Sequence, residues 1–216
     1  MEPQRGCFIT LEGLDGAGKS THVQWLVEHL RASGRQVLST REPGGTALGE
    51  QLRDILLHTP MEVHTETLLM FAARSEHTRT VILPALRQGI WVVCDRYTDA
   101  SYAYQGGGRG LGAAAIQQLE LWALEGLAPD RSWLFDVPLD VARQRLSAAR
   151  EPDRFERQGA AFFERTRQAY LVRAAEQPER LRIIDSTQTI DDIRGQLASE
   201  LNALIAAWTG QHASTP

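Results

Sequence analysis

Short apolar runs alternate along this chain with longer segments of helical periodicity, a pattern that predicts parallel βαβ units. The apolar runs predict strands over Cys7–Glu12, Gln36–Thr40, Trp91–Asp95, Ser132–Asp136 and Arg182–Asp185. Amphipathic spacing predicts helices over Lys19–Ala32, Leu48–Leu57, Thr65–Arg87, Gly112–Leu124, Val141–Ala149, Ala160–Glu176 and Ile190–Thr209. Gly34 is positioned to stop the first helix. Pro43-Gly44-Gly45 and the stretch Gln105–Gly110 read as loops, and Thr209–Pro216 reads as a frayed tail. No internal repeat and no long linker divides the chain, so the expected unit is a single α/β domain over residues 1–216.

The strand before Gly13 and the helix after Lys19 enclose a phosphate-loop motif, G-x-x-x-x-G-K-[ST]. It is spelled Gly13, Leu14, Asp15, Gly16, Ala17, Gly18, Lys19, Ser20, with Thr21 following. Such a loop turns backbone N–H groups and the positive end of a helix toward phosphate oxygens. Glycine allows the close approach, Lys19 is placed to reach the β- and γ-phosphates of a nucleotide, and Ser20 should supply a hydroxyl to Mg²⁺. A magnesium nucleotide site also wants a carboxylate at the end of a neighbouring buried strand. Asp95, which closes the run Ile-Trp-Val-Val-Cys, is the candidate.

Charge sharpens this picture. Lys19 is the only lysine, and arginine supplies the other 22 of the 23 basic residues. Lysine is a compact charge on a flexible stem and arginine a planar fork, so lysine stands where the motif needs it. A net charge of -4 argues against a general nucleic-acid binder, which needs a basic stripe. Cys7 and Cys94 both fall in strand-like runs, which fits buried thiols in a reducing compartment better than a disulfide. No apolar run approaches a membrane span, and the first residues lack the apolar stretch of a signal peptide. A cytoplasmic location is expected. The six histidines, His58 and His64 among them, show no metal-ligand spacing.

Three uses of a phosphate loop remain. A GTPase switch reads guanine through Asn-Lys-x-Asp, and this chain cannot spell it, because Asn202 and Lys19 are its only asparagine and lysine. A motor or remodelling ATPase needs a partner domain that 216 residues scarcely accommodate. A small-molecule kinase needs only a second pocket and cations around the transferred group. Arg41, Arg53, Arg74, Arg96, Arg143, Arg145, Arg150 and Arg154 fall in or near predicted loops and helix ends. Arginine clamps phosphate oxygens through paired, charged hydrogen bonds. Residues 143–157 form an arginine-rich segment with Glu151, Pro152 and Asp153 that can close over ATP as a lid.

With those residues in view, the chain resembles the bacterial thymidylate kinases over about residues 7 to 208. The resemblance lies in FITLEGLDGAGKST from Phe8 to Thr21, TREPGGT from Thr40 to Thr46, and Asp95-Arg96-Tyr97. It continues in YQGGGRG from Tyr104 to Gly110, Asp153-Arg154, and IDSTQ from Ile184 to Gln188. The family implies phosphoryl transfer from ATP to dTMP with Mg²⁺. It also implies a five-stranded parallel sheet flanked by helices, as in P-loop nucleoside monophosphate kinases, and a homodimer packed through helices.

By position, the resemblance implies that Asp15 contacts the 3′ side of the dTMP sugar. Glu42 and Pro43 would line the acceptor pocket, with Arg53 and Arg96 as its phosphate clamp. Arg74, Ser101, Tyr104 and Gln105 would surround the thymine and its sugar, and Ile184–Gln188 would lie beside adenine. Lys19, Arg96 and Arg150 are the expected catalytic cations, although the spacing leaves Arg145 or Arg143 open in the role of Arg150. One departure concerns the base: where many relatives carry phenylalanine four residues before the Arg74 equivalent, this chain has Met70, followed by Phe71. Neighbouring helical side chains diverge by about 100°. Met70 is therefore expected at the base and Phe71 in the core.

Overall fold

The computed structural model describes residues 5–147 and 154–213. Strand β1 (Phe8–Glu12) leads through the glycine-rich loop into α1 (Lys19–Ala32), β2 (Val37–Arg41), α2 (Ala47–His58) and α3 (Val63–His77). α3 runs on through a π-helical stretch at Thr78–Ile82 into α4 (Leu83–Arg87), then β3 (Trp91–Asp95). α5 (Thr98–Ser101) passes into a second π-helical stretch, Tyr102–Gly108, before α6 (Ala113–Leu124) and β4 (Arg131–Asp136). α7 (Leu139–Ser147), α8 (Ala160–Glu176), β5 (Leu181–Asp185) and α9 (Ile190–Ala213) complete the chain.

The five strands form one parallel sheet in the order β2-β3-β1-β4-β5. β1 is buried along its length because both faces of a parallel sheet are covered by helices. Side chains alternate across it. Ile9 and Leu11 join Leu26, Leu30, Trp133, Leu197 and Leu201 in one core layer, while Phe8 joins Phe71, Ile82, Val92 and Tyr97 in another. A third cluster, including Leu14, Tyr104, Phe155, Phe162 and Tyr170, lies beneath the loops at the carboxyl ends of the strands. Open α/β sheets bind ligands at that edge. Register there aligns Leu11 and Arg41 with Asp95, and Asp136 with Asp185.

Predicted and observed elements agree closely, and the differences have physical causes. The Gln105–Gly110 segment was expected to be loop, yet Tyr102–Gly108 is helical and only Arg109–Gly112 turns. Its glycines serve close packing on α8: a Cβ at Gly107 would lie 2.5 Å from Ala169 Cβ, and one at Gly108 would collide with Thr166. Arg165 donates to Gly108 O at 2.7 Å across that contact. The tail expected from Thr209 is instead helical to Ala213. Trp208 explains the extension, stacking edge-on against Trp91 at 5.8 Å and donating to Arg5 O at 3.3 Å.

Asp99 ties the site-bearing turn to this frame. It is fully buried on α5, accepts Arg173 Nε at 3.0 Å, and takes two guanidinium nitrogens of Arg180 at 2.7 and 2.8 Å. These bonds join α5 to α8 and to the start of β5. Removing the carboxylate strands two largely buried cations. Asp99→Ala should therefore lower unfolding free energy by about 3–5 kcal/mol, read from denaturant titration. A loss below about 1 kcal/mol would mean that the pairs are no stronger than surface salt bridges.

Candidate active site

The Gly13–Ser20 loop is shaped by glycines that no other residue replaces. Gly13, Gly16 and Gly18 have φ of 134°, 80° and 90°, and a Cβ at Gly13 or Gly16 would strike Phe135 O or Ala142 O. α1 begins directly at Lys19, its N-terminal amides uncapped by any side chain and directed into the loop. Lys19 is 6% exposed and donates to Gly13 O at 3.0 Å and Leu14 O at 2.9 Å. Burial, with the charge of Arg96, lowers its pKa from 10.5 to about 8, while Asp95, Asp15 and Glu12 hold it up. Ser186, just past β5, donates to Ala17 O and closes the loop from the far side.

Arg96 forms the wall beside that loop. Its guanidinium donates to Gly13 O at 2.8 Å, Asp15 Oδ1 at 2.6 Å, Tyr104 Oη at 3.1 Å and Tyr170 Oη at 3.2 Å. Asp15 also accepts the Tyr104 hydroxyl at 3.0 Å. Burial works against the Asp15 charge, but Arg96 and Lys19, with bonds from Arg96 and Tyr104, lower its pKa from 3.8 to about 2. Behind the wall, fully buried Glu12 accepts Tyr97 N–H at 2.8 Å and Tyr170 Oη–H at 3.0 Å. Burial and the charge of Asp99 push the Glu12 carboxyl well above the usual carboxylate range.

Two cavities meet at this wall. One is lined by Asp15, Glu42, Pro43, Arg53, Met70, Arg74, Arg96, Ser101, Tyr104 and Gln105. These ten are the residues that sequence resemblance suggested for the acceptor, and the fold brings all of them together. Met70 reaches the cavity, while Phe71 is 3% exposed in the core, with the Arg74 guanidinium 4.9 Å from its ring. Arg53 donates to Pro43 O at 2.8 Å. Arg74 is held by Glu42 Oε2 at 2.6 Å, Ser101 Oγ at 2.8 Å and Tyr97 O at 3.0 Å. Gln105 donates to buried Glu66 at 2.8 Å.

The second cavity is lined by the glycine-rich loop, Lys19, Ser20, Thr21, Arg41, Asp95, Arg145 and Glu156. It shares Asp15, Glu42, Arg53 and Arg96 with the first. Ser20 and Asp95 fit a hard cation here: the Asp95 Oδ1 atom is buried without a hydrogen-bond partner. Among the described residues no cluster of three or more His, Cys, Asp or Glu forms a metal cage. That leaves most coordination positions to phosphate and water, which is how Mg²⁺ is commonly bound. Both Arg143 and Arg145 are exposed, but only Arg145 lines this cavity, donating to Ser186 O at 3.0 Å. Arg150, with Glu151, Pro152 and Asp153, lies outside the described residues. Arg154 turns away, pairing with Glu66 at 2.7 Å and Leu56 O at 2.9 Å.

Sequence reasoning did not single out Leu57, Ala100 and Phe155 in the first cavity, or Glu12, Tyr170, Glu66 and His77 behind it. Phe155 follows the Asp153-Arg154 motif, a signal that was available. The others sit within periodic helices or a strand, where no local pattern marks them.

Comparison with known proteins converges on one family. A thymidylate kinase family model matches residues 11–197. The chain is 64% identical over 202 residues to the thymidylate kinase of Bordetella pertussis, covering 94% of this chain and 97% of that protein. It is 61% identical over 190 residues to the thymidylate kinase of Cupriavidus metallidurans, covering 88% and 94%. The crystal structure of thymidylate kinase from Ehrlichia chaffeensis aligns with a TM-score of 0.76 at 31% identity, over 92% of this chain and 99% of that one.

The Asp15 pair has a consequence for stability. A carboxyl whose folded pKa is depressed stabilises the fold above its unfolded pKa, and that contribution is lost as pH falls through the folded value. For Asp15 the window runs from about 3.8 down to about 2. Wild type should therefore lose stability across that window more steeply than Asp15→Asn, and the two unfolding curves should converge at its acid end. Parallel acid limbs would show that the Arg96 contact does not stabilise the charged form.

Proposed function

The chain belongs to the thymidylate kinase family and transfers the γ-phosphoryl group of ATP to dTMP; from that premise we propose how its residues divide the work. ATP phosphates bind the Gly13–Thr21 loop, and dTMP binds the cavity of Asp15, Glu42, Pro43, Arg53, Met70, Arg74, Arg96, Ser101, Tyr104 and Gln105. The observation that carries this reading is the shared wall: Asp15, Glu42, Arg53 and Arg96 line both cavities. Donor and acceptor phosphates then meet across one set of charges.

The acceptor is a phosphate monoester, largely ionised at neutral pH (second pKa about 6), so no general base is required. Asp15, with its depressed pKa, is a hydrogen-bond acceptor for the sugar. Catalysis consists of positioning and charge neutralisation around a loose transition state. Arg96 and Arg53 orient the acceptor phosphate, and the loop amides hold the donor. Lys19 exchanges its bonds to Gly13 O and Leu14 O for phosphoryl oxygens. Ser20 and Asp95 would hold Mg²⁺, which would supply charge neutralisation to the phosphates. Arg145 is the arginine of the 143–157 lid whose observed contacts support a role at the transferring group; Arg150 keeps the family's assignment. Met70 presents its polarizable thioether to the thymine, a contact of about 0.3–1.5 kcal/mol.

A cytoplasmic enzyme is supported by two buried free thiols, Cys7 and Cys94; no helix among the described residues is long and apolar enough to cross a membrane. A homodimer is supported by large apolar side chains on α3 and α6, which pack together. Leu68 is 57%, Leu121 65% and Trp122 80% exposed. Exposed apolar surface of this kind marks interaction sites.

Two measurements test these readings. A coupled assay of ADP release with dTMP, dUMP, dCMP, dGMP and AMP should give the highest kcat/KM for dTMP. In the same assay Lys19→Ala should cut kcat at least about a hundredfold, as loss of a charge stabiliser does, while dTMP binding stays near wild type; equal losses would contradict a transition-state role. Light scattering should give twice the chain mass of 24.0 kDa, and Trp122→Glu should shift it toward one. A wild-type monomer at micromolar concentration rejects the dimer.

A further inference from the structure

His77 is completely buried at the end of α3 and lines neither nucleotide cavity. Its Nδ1 lies 3.0 Å from Glu42 Oε1 and its Nε2 lies 2.7 Å from Thr40 Oγ1. A carboxylate only accepts, so the ring proton sits on Nδ1 and Nε2 receives the Thr40 hydroxyl. Glu42 Oε2 accepts Arg74 Nε, and the same guanidinium reaches Ser101 Oγ and Tyr97 O. The two Glu42 oxygens are thus held from opposite sides, one by imidazole and one by guanidinium. The glycine turn after Pro43 rests on this pair: a Cβ on Gly45 would collide with His77 Nε2 and lie 2.8 Å from Thr40 Oγ1.

We propose that His77 is a positioning residue for the acceptor pocket, its Nδ1–H fixing Glu42 and, through Glu42, the Arg74 guanidinium and the Pro43 wall. This rests on the reading of that cavity as the dTMP site. Without the imidazole N–H, Glu42 Oε1 is a buried charged acceptor lacking its partner, and the carboxylate rotates to find another. Arg74 then loses the geometry that its bonds to Ser101 and Tyr97 require. Glu42 also lines the donor cavity, whereas His77, Arg74, Ser101 and Tyr97 do not.

Two near-isosteres separate the ring nitrogens. His77→Asn retains an N–H close to the Nδ1 position, and His77→Gln retains one close to Nε2. KM for dTMP should stay within about threefold of wild type in His77→Asn and rise about tenfold in His77→Gln, the scale of one lost bond to a buried charge. KM for ATP should move less than KM for dTMP in both, because only Glu42 of the clamp lines the donor cavity. The reverse order overturns the proposal, as does a loss confined to thermal stability and active fraction with both KM values intact. ¹⁵N NMR of the imidazole should show His77 protonated at Nδ1, the signal identified by its absence in His77→Asn; protonation at Nε2 alone overturns it independently of activity. A wild type that does not phosphorylate dTMP would refute the pocket's reading, and the NMR result would still judge the clamp.

Discussion

One guanidinium joins the parts of this site. Arg96 immediately follows Asp95 at the end of β3, and its backbone adopts φ of 72°, a left-handed conformation that side-chain-bearing residues rarely hold. Such strain persists only where surroundings over-determine it. Here they do: Gly13 O, Asp15, Tyr104 and Tyr170 all accept from the same side chain. The turn also reverses direction between neighbours. Asp95 faces the phosphate-loop cavity while Arg96 lies across the boundary between the two cavities. The two cavities are therefore held in register by covalent adjacency as well as by charge.

The same chemistry recurs farther from the nucleotides. Glu42 is paired with Arg74, Glu66 with Arg109 and Arg154, and Asp99 with Arg173 and Arg180, each acid being almost completely buried. A planar fork satisfies two acceptors at once, which a lysine cannot do with comparable geometry. Arginine's abundance thus has a structural use. Lys19 differs: it is a single compact charge on a flexible stem, held by two carbonyls of its own loop. These buried pairs tie α3 to the loops that carry Glu42, Arg109 and Arg154, and α5 to α8, so polar contacts hold the walls over the apolar cluster of Leu14, Tyr104 and Phe155.

Local pattern was sufficient wherever a single element states its own role. Strand β3 and helices α1 and α8 fall where pattern put them, because β3 is a continuous apolar run buried on both faces and each helix buries one face. The glycine-rich loop was readable because phosphate recognition needs backbone amides and positive φ, which only a fixed glycine spacing supplies. The triple glycine of residues 106–108 misled for a related reason. Glycine signals either a turn or a close helix contact, and only the neighbour, α8, decides which.

By itself, then, the sequence determined the alternation of strands and helices, the phosphate loop and, through the resemblance of its motifs, the ten side chains that converge on one cavity; the strand order came from the tertiary structure. Tertiary structure alone decided which polar residues hold them there. Glu12 meets Tyr170 across 158 positions, Glu66 meets Arg109 across 43, and His77 meets Glu42 across 35. A buried polar group must find its partner wherever the fold brings one, and nothing in a local window records that partner. Met70 and Phe71 mark the boundary between the two kinds of knowledge. Helical geometry required them to diverge, and the packing of α3 on the sheet set Met70 toward the cavity and Phe71 into the core.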